Sequence, residues 1–278
     1  HRDLHYPLRR QRQMCIRDRN KSYYERIMKT NNPPKGAQAA LRAVRLLKLF
    51  SLEKPDLTLT QLSQGADLNK TTTHRLLRAL QSESLVQRNS VTGRYSLGAG
   101  LMALGVQALS SSDLRRRARP ILKLLARDTG ETAQLEVPVE GGMLIIDEVT
   151  GRHVVAASGN IGTSWPMHAT SSGKAYIAFD SNVLDSLPDE FPALTKNTIT
   201  KKEIIKKQSQ IILKKGYSES IDELEPGYSC VGTVVYDAVG NIQGALSIGG
   251  PTHRMNTQKR MELGAVIKRA SERLTPEY

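Results

Sequence analysis

The sequence has no apolar run near the roughly 18–20 residues that a helix needs to cross a bilayer, so we expect no membrane-spanning helix and no membrane partner. Cysteine is scarce. Cys15 and Cys230 are the two in 278 residues, too few for a disulfide scaffold or for a zinc module with several cysteines. No charged segment leads into an apolar one near the start. We therefore expect no secretory signal and a cytoplasmic location.

Acidic residues are scarce in the first third of the chain. Residues 1–98 hold 19 Lys and Arg against 7 Asp and Glu, a net charge of +12, whereas residues 99–278 hold 21 against 20, a net charge of +1. At roughly 100–200 residues per domain, a chain of 278 residues fits two domains. The charge asymmetry indicates a basic module that faces nucleic acid, joined to a nearly neutral module.

Residues 1–35 carry +7 of this charge, from 10 basic and 3 acidic residues. Residues 1–27 show no sustained period of 2 or 3.6, and we interpret them as partly non-native, with Met28 as the natural start. We expect residues 1–35 to form a disordered basic tail, and the alternative is an arm that binds phosphate groups. Residues 36–98 keep a net charge of +5 without the tail.

Three helices are predicted after Gly36. The first has apolar residues at helical spacing, namely Leu41, Val44, Leu46, Leu47, Leu49 and Phe50. The second is short and carries Leu62, with Thr60 as its N-cap and Gly65 at its end. A tight turn over residues 66–68 leads to the third helix. Two short helices joined by a tight turn are typical of a helix-turn-helix.

The third helix is predicted from Lys70 to about Ser82, with Asn69 as its N-cap. Its inner face carries Leu76, Leu77 and Leu80, and we expect His74 to pack at the edge of that face. Such a helix enters the major groove, and its outer face carries the residues expected to contact DNA, namely Lys70, Thr71, Thr72, Arg75 and Arg78. The alternative is an ordinary solvated basic helix, which the turn, the cap and the charge together disfavour.

Two short strands around a turn that contains Gly93 follow the third helix, a pattern typical of a hairpin. A hairpin in this position is a wing. We expect Arg88 and Arg94 on this wing to touch the sugar-phosphate backbone.

Residues 113–278 show the patterns of a mixed α+β unit. The predicted elements are strands over 132–139, 143–149, 153–158, 231–237 and 242–249, and helices over 169–179, 204–215 and 257–274. An earlier helix, capped by Asp113, is expected to use Leu114, Ile121, Leu122, Leu124 and Leu125 for apolar contacts. Near its start lies a basic cluster that either reaches DNA or is solvated, formed by Arg115, Arg116, Arg117 and Arg119.

The chain resembles the IclR-type bacterial transcription regulators. The first matching segments read LTQL at 59–62, KTTTHRLL at 70–77 and GRYSLG at 93–98. Later ones read PMHATSSGKA at 166–175, GY at 216–217, ELEPGYSC at 223–230 and ALSIGGP at 245–251. They occur in the family's order, so the resemblance covers about residues 37–275.

The resemblance implies an α+β protein, with a winged helix-turn-helix joined by a linker helix to a GAF-like antiparallel-sheet domain that binds an effector. The expected parts are a tail over 1–35, a DNA-binding domain over 36–98, a linker helix over 99–112 and an effector-binding domain over 113–278. Leu101, Leu104, Val106 and Leu109 give the linker an amphipathic pattern. In the family this helix joins the domains and pairs protomers.

The resemblance also places an effector pocket in the second domain, with ligand contacts at Ser171, Ser172, Ser220, Tyr228, Cys230, Ser247 and Gly249. Free backbone N–H groups and the positive dipole at a helix start near Ser171 favour a carboxylate. The alternative for Ser171 and Ser172 is simple N-capping. Ser220 and Gly249 depart from the family's common pattern, in which Asp and Ser often stand, so effector identity does not carry over.

We therefore predict a sequence-specific DNA-binding regulator, a repressor or an activator, modulated by a small carboxylic or aromatic acid. Its expected partners are double-stranded operator DNA, the acid effector and further copies of the chain in a dimer or tetramer. One alternative is an enzyme in which Cys230 and His168 act as thiol and base, but no GxSxG, HExxH or P-loop motif is present. The other is a second domain that only dimerises. We expect no catalytic residue, no cofactor and no metal site.

Overall fold

The computed structural model describes residues 36–51, 54–152 and 160–275, which fall into two compact units that divide between residues 111 and 112. The tail and the strand predicted over 153–158 lie outside the described residues. None of the described helices is long and apolar enough to cross a membrane. Each unit combines helices with an antiparallel sheet, so the α+β prediction is confirmed.

The first unit contains four helices and a small sheet among its described residues. Its elements are α1 (Gln38–Leu47), β1 (Asp56–Leu57), α2 (Leu59–Gly65), α3 (Lys70–Ser82), β2 (Val86–Arg88), β3 (Tyr95–Leu97) and α4 (Ala99–Ser111). The strands pair antiparallel in the order β1-β3-β2. The helix-turn-helix and its wing are thus α2, α3 and the β2–β3 hairpin.

The sequence prediction places the N-cap of α2 two residues too late. Its N-cap is Thr58, not Thr60: the Thr58 hydroxyl accepts from Gln61 N–H, and the Gln61 side chain accepts from Thr58 N–H, forming a capping box. The helix ends at Gly65 as predicted. The left-handed residue in the following turn is Asp67, with φ of 53°, a conformation that aspartate tolerates better than most residues.

One apolar cluster holds the first unit together. It contains Leu46 of α1, Leu62 of α2, Leu77 of α3 and Tyr95 of β3, each at most 2% exposed. The predicted stripe on α1 is partly wrong, because Leu41 and Val44 are 36% and 48% exposed. The linker helix α4 was also predicted as amphipathic, but it is apolar on several sides and contains no buried residue.

The second unit is built on a six-stranded antiparallel sheet in the order β6-β5-β4-β9-β8-β7. Its strands are β4 (Thr132–Val139), β5 (Gly142–Val149), β6 (Ser164–Pro166), β7 (Ser218–Ile221), β8 (Tyr228–Tyr236) and β9 (Ile242–Pro251). Its helices are α5 (Asp113–Thr129), α6 (Ser171–Phe179), α7 (Ser181–Ser186), α8 (Lys202–Lys215) and α9 (Thr257–Glu272). A 3-10 turn over Met167–Ala169 precedes α6, which therefore starts two residues later than predicted.

The strand register separates the residues of this sheet onto two faces, because paired residues on neighbouring strands lie on the same face. Leu135 pairs with Leu246, and this buried apolar face packs against α5, where Leu114 lies beside Gly244. The opposite face is polar and lies under α6. The side of the sheet that carries polar groups is therefore covered, not solvated.

The start of α5 is fixed differently from the prediction. Ser112, not Asp113, is the N-cap, since its hydroxyl accepts from Arg115 N–H. Asp113 instead forms ion pairs with Arg116 and Arg117 one helical turn further on. Of the residues expected to be apolar contacts, Leu114, Leu122 and Leu125 are buried, whereas Leu124 is 40% exposed.

Candidate DNA interface and effector pocket

The outer face of α3 presents a polar and basic stripe. Thr71, Arg75 and Arg78 lie at i, i+4 and i+7 on one side of the helix, and all three are exposed. Lys70 beside them is exposed as well, whereas Thr72 is half-buried. Asn69 is the N-cap as predicted, and its side chain accepts from Thr72 N–H at 2.8 Å. The cap fixes where the stripe begins.

His74 was predicted to pack against the core, and this is wrong. The side chain is exposed, next to Arg75 and Arg78 on the outer surface of α3. Thr73 takes the inner position instead: it is fully buried, and its hydroxyl donates to Asn69 O at 3.0 Å. A threonine fits the inner face because its own helix accepts its hydroxyl proton.

The two arginines of the wing differ in how strongly other residues of the chain hold their guanidinium groups. The Arg94 Nε donates to Asp56 Oδ1 at 2.7 Å, and a second guanidinium nitrogen donates to Asp56 O at 3.1 Å. Arg94 therefore joins β3 to β1, and a DNA phosphate would compete with Asp56 for it. Arg88 is exposed, with its guanidinium 5.6 Å from the centre of the Tyr95 ring. Arg88 is the better placed of the two for a phosphate contact.

The basic cluster at the start of α5 is held by acidic groups of its own unit. Asp147 is fully buried, and the Arg119 guanidinium donates to it at 2.6 Å, with Arg115 Nε at 3.6 Å. Arg116 and Arg117 pair with Asp113. Arg115 and Arg119 therefore join α5 to β5, a role that neither expectation included, whereas the Arg116 side chain is 71% exposed, as the solvated alternative has it.

The register of the second sheet brings distant residues together under α6. Gln134 pairs with Ser247, Ser247 with Gly232, and Gly232 with Ser218, so all four lie on the polar face. The hydroxyl of Ser218 donates to Ser171 O, which holds the start of α6 to the sheet. Gly232 allows this close approach, because a Cβ there would lie 2.7 Å from Ser172 N.

A small cavity lies between the start of α6 and the polar face. It is lined by Gln134, Glu136, Trp165, Thr170, Ser171, Ser172, Leu224, Tyr228, Cys230 and Ser247. Its free space is about 20 Å³, room for about one water molecule. We call this cavity the effector pocket. Five of the seven predicted ligand contacts line it, and Ser220 and Gly249 do not.

Sequence reasoning missed five of the ten residues that line this pocket, namely Gln134, Glu136, Trp165, Thr170 and Leu224, and Glu136 is the ionisable one among them. Its carboxylate accepts from Ser172 Oγ at 2.6 Å and from Ser247 Oγ at 2.8 Å. Burial raises the pKa of the Glu136 carboxyl to about 7, against the hydrogen bonds from Ser172 and Ser247, which lower it. A glutamate within an alternating strand usually faces solvent. Here α6 covers that face of the sheet, and this depends on contacts between residues that are distant in sequence.

Ser171 and Ser172 do not cap α6, so the simple N-capping alternative is wrong. The cap is Thr170, whose hydroxyl accepts from Gly173 N–H at 3.1 Å. Ser172 instead bonds Glu136, and Ser171 Oγ is buried with no nitrogen or oxygen partner among the described residues; the Cys230 thiol, a weak hydrogen-bonding group, lies beside it. A buried hydroxyl in that condition is costly, and a ligand group would satisfy it.

Two family models match this chain. The model described as the bacterial transcriptional regulator IclR C-terminal domain matches residues 106–275, and the model described as the IclR helix-turn-helix domain matches residues 39–90. The chain belongs to the IclR family. IclR-family proteins are transcriptional regulators with a helix-turn-helix and a C-terminal effector domain, and this chain has both parts.

Several named relatives and solved structures match this chain over most of their length. The acetate operon repressor of Salmonella typhimurium is 32% identical over 246 residues, which cover 87% of this chain and 90% of the repressor. An IclR regulator from Alicyclobacillus acidocaldarius is 28% identical with a TM-score of 0.75, covering 86% and 97%. An IclR homologue from Microbacterium hydrocarbonoxydans complexed with 4-hydroxybenzoate is 22% identical with a TM-score of 0.69, covering 85% and 97%, and shares the fold.

The two positions that depart from the IclR pattern have structural reasons to lie outside the pocket. The hydroxyl of Ser220 donates to Ala169 O at 2.8 Å, so it holds the turn before α6. At Gly249, a Cβ would overlap the hydroxyl end of the Tyr228 side chain. Glycine at 249 thus makes room for the Tyr228 phenol, which takes part in lining the pocket.

Cys230 and His168 line different cavities of this IclR domain. Burial raises the pKa of the Cys230 thiol, so the thiol is protonated at neutral pH. His168 lines a different cavity of about 410 Å³, and its Nε2 lies 3.1 Å from Pro192 O. Burial lowers the pKa of the His168 imidazole to about 4. That second cavity is bordered mainly by apolar residues such as Met167, Val183 and Phe191.

Proposed function

We propose that this IclR regulator binds operator DNA through residues 36–98 and that a small carboxylic or aromatic acid, for which the effector pocket must widen beyond its present free space of about 20 Å³, changes that affinity. The observation that carries the effector half is the buried Ser171 hydroxyl at the start of α6, which has only the weakly bonding Cys230 thiol beside it among the described residues and lies in a pocket with Ser172, Ser247 and Tyr228. The relative solved with 4-hydroxybenzoate supports an acid as the ligand class. We propose no catalytic role for the second domain.

The proposed DNA contacts are on α3 and the wing. They are Lys70, Thr71, Thr72, Arg75 and Arg78 on α3, with Arg88 and Arg94 on the hairpin. The exposed stripe of Thr71, Arg75 and Arg78 is the strongest support for α3 as the helix that enters the major groove. Arg94 contributes only where DNA displaces it from Asp56.

We further propose that residues 99–112 pair copies of the chain into a dimer or a dimer of dimers. Met102, Leu104 and Val106 on α4 are 67%, 55% and 61% exposed, and no residue of this helix is buried. Apolar surface of this kind marks an interaction site. A dimer also presents two helix-turn-helix motifs to two half-sites of an operator. Binding of an effector then regulates by favouring one of two arrangements of the domains over the other.

Arg75→Ala is expected to weaken operator binding. The lost contact costs roughly 1–3 kcal/mol, or roughly 5- to 150-fold in affinity, and relaxes sequence choice where Arg75 reads a base. Binding is measured by gel shift on an operator selected from random DNA, using the full chain. Arg273→Ala removes the same side chain from an exposed site after α9 and serves as the matched control. Equal affinities for both variants and the wild type would remove Arg75 from the interface.

Ser247→Leu is expected to abolish the effector response while operator binding persists. The leucine removes a hydroxyl bonded to Glu136 and fills the 20 Å³ of free space. Calorimetry and thermal shift compare the variant with the wild type, using 4-hydroxybenzoate and acetate as probes. Ser186→Leu makes the same change in the second cavity and serves as the control. Loss of binding in Ser186→Leu alone would move the ligand site to that cavity.

A further inference from the structure

The start of α6 already holds a carboxylate, and it belongs to the protein. Glu136 accepts hydrogen bonds from Ser172 in the first turn of α6 and from Ser247 on β9. These hydroxyls are the donors that an acid effector would use. An effector carboxylate entering the pocket therefore meets a second carboxyl group at close range, in a site with little water to screen them.

No cation in the described part of the chain is hydrogen-bonded to Glu136 to offset that second charge. On α6, Lys174 Nζ is bonded to Glu223 at 2.6 Å. On β8, Tyr228 and Cys230 face the pocket, and burial raises the pKa of both, so both are neutral near pH 7. On β5, the Glu148 carboxylate accepts a hydrogen bond from the Gln134 side chain. The carboxylate of Glu131, the residue before β4, accepts one from Arg254. The helix α5 lies on the other face of the sheet.

Resting on the effector pocket proposed above, we propose that Glu136 determines which ligands this pocket accepts. An acid effector binds together with one proton, which Glu136 takes from water, and the protonated carboxyl then donates a hydrogen bond towards the ligand. No covalent bond to the ligand forms or breaks. Glu136 thereby couples the choice between acidic and neutral ligands to pH.

The direction of the pH dependence follows from linkage. In the free protein the pKa of Glu136 is raised to about 7, and a bound anion raises it further. Below about pH 7 Glu136 already carries the proton, so the affinity for an acid does not change with pH. Above it the proton must be taken up on binding, so acid affinity falls about tenfold per pH unit.

A neutral amide of the same shape behaves differently. It carries no charge, and its N–H group donates to the ionised Glu136, as Ser172 and Ser247 now do. Raising the pH is therefore expected to shift the preference from acid to amide. This reversal separates a ligand-selecting role from a general loss of structure at high pH.

The test is calorimetry on the full chain with two pairs of probes, 4-hydroxybenzoate with 4-hydroxybenzamide and acetate with acetamide, from about pH 6 to about pH 8.5. In the wild type, acid affinity is expected to fall about 30-fold over this range, and the ratio of acid to amide affinity by at least as much, because the amide binds the ionised Glu136. Repeating the acid titrations in two buffers of different ionisation enthalpy is expected to show uptake of about one proton near pH 8.

Glu136→Gln is expected to remove both the pH dependence and the proton uptake, because the amide keeps the shape of the side chain but cannot titrate. Glu148→Gln is the matched control on the neighbouring strand, since burial also raises the pKa of Glu148. It is expected to keep the wild-type pH dependence. Melting curves of both variants show whether each is folded, and proton uptake by the wild type tests the proposal independently of them.

The outcomes are distinct. Acid binding to the wild type without proton uptake overturns the role of Glu136 and leaves the effector pocket standing. Transfer of the pH dependence to Glu148 also overturns it. Binding of amides alone at every pH overturns the acid part and makes Glu136 an acceptor for neutral ligands. Failure of all four probes to bind removes the proposed pocket, and this inference with it.

Discussion

Lys174→Met is expected to lower the free energy of unfolding of the second unit by about 3–5 kcal/mol, because it leaves a buried carboxylate without its cation. Lys174 Nζ lies 2.6 Å from Glu223 Oε1, with side chains 2% and 8% exposed. Glu223 Oε2 has no hydrogen-bond partner among the described residues, so the ion pair is the main compensation for burying this carboxyl group. Urea unfolding monitored by circular dichroism measures the loss.

Two further variants test the cause of that loss. Lys214→Met removes a solvated lysine from α8 and is expected to change stability little. The double variant Lys174→Met with Glu223→Met is expected to recover most of the lost stability, since a buried pair replaced by apolar residues is often neutral. A double variant as unstable as the single one would show that the lysine stem, rather than the charge, is what the fold requires.

The pH dependence of Lys174→Met has a definite sign. Burial raises the pKa of Glu223 above its ordinary value, and Lys174 lowers it. Without Lys174 the folded protein holds a proton that the unfolded chain releases. The variant is therefore expected to regain stability relative to the wild type as the pH falls towards 4.5, the unperturbed value.

Gly173→Ala is expected to destabilise the second unit by about 3 kcal/mol, although alanine is ordinarily the better helix former. The third residue of α6 packs so closely on the 3-10 turn before it that a Cβ would overlap the Met167 backbone. Backbone atoms cannot move aside as a flexible side chain does. Moving α6 also displaces Ser171 and Ser172, so effector binding is expected to weaken with stability.

Gly105→Ala is the control for the direction of the stability change expected in Gly173→Ala. Gly105 also lies within a helix, α4, but a Cβ there meets no atom within 4 Å. The substitution is expected to raise stability by about 0.5–1 kcal/mol through helix propensity alone. Thermal unfolding of the two variants in parallel gives opposite shifts if the contact with Met167 is the cause. Shifts of equal sign would contradict the assignment.

The sequence was informative where the decisive chemistry lies within a few consecutive residues. The cap at Asn69, the stop at Gly216 with φ of 80°, and the hairpin over β4 and β5 all depend on local signals. The cap of α2 could have been read correctly as well, because Gln61 stands three residues after Thr58 and completes a capping box. His74 was expected at the edge of the inner face, but its neighbour Thr73 takes the inner position, and adjacent residues on a helix differ by about 100° in direction.

The pocket was less predictable, because it depends on which strands pair and on what covers them. The resemblance supplied Ser171, Ser172, Tyr228, Cys230 and Ser247. Glu136 was missed because local sequence carries no record that α6 covers its face of the sheet. In a sheet covered on both faces, an alternating strand no longer separates solvent from core. A polar side chain on such a strand is buried. It therefore indicates a binding site more strongly than the alternating pattern of the residues around it in sequence suggests.

The contact between Gly249 and Tyr228 has an evolutionary consequence. Because a Cβ at 249 would overlap the phenol, the Tyr228 side chain must shift when position 249 gains a side chain, and the two positions are coupled. A side chain gained at 249 forces the ring out and leaves an opening where it stood, while loss of the ring frees 249 to vary. One mutational step at either position thus remodels the same wall, and homologues with a larger residue at 249 are expected to carry a smaller or displaced one at 228. The ligand range of the proposed pocket is therefore expected to change in large steps rather than by gradual adjustment.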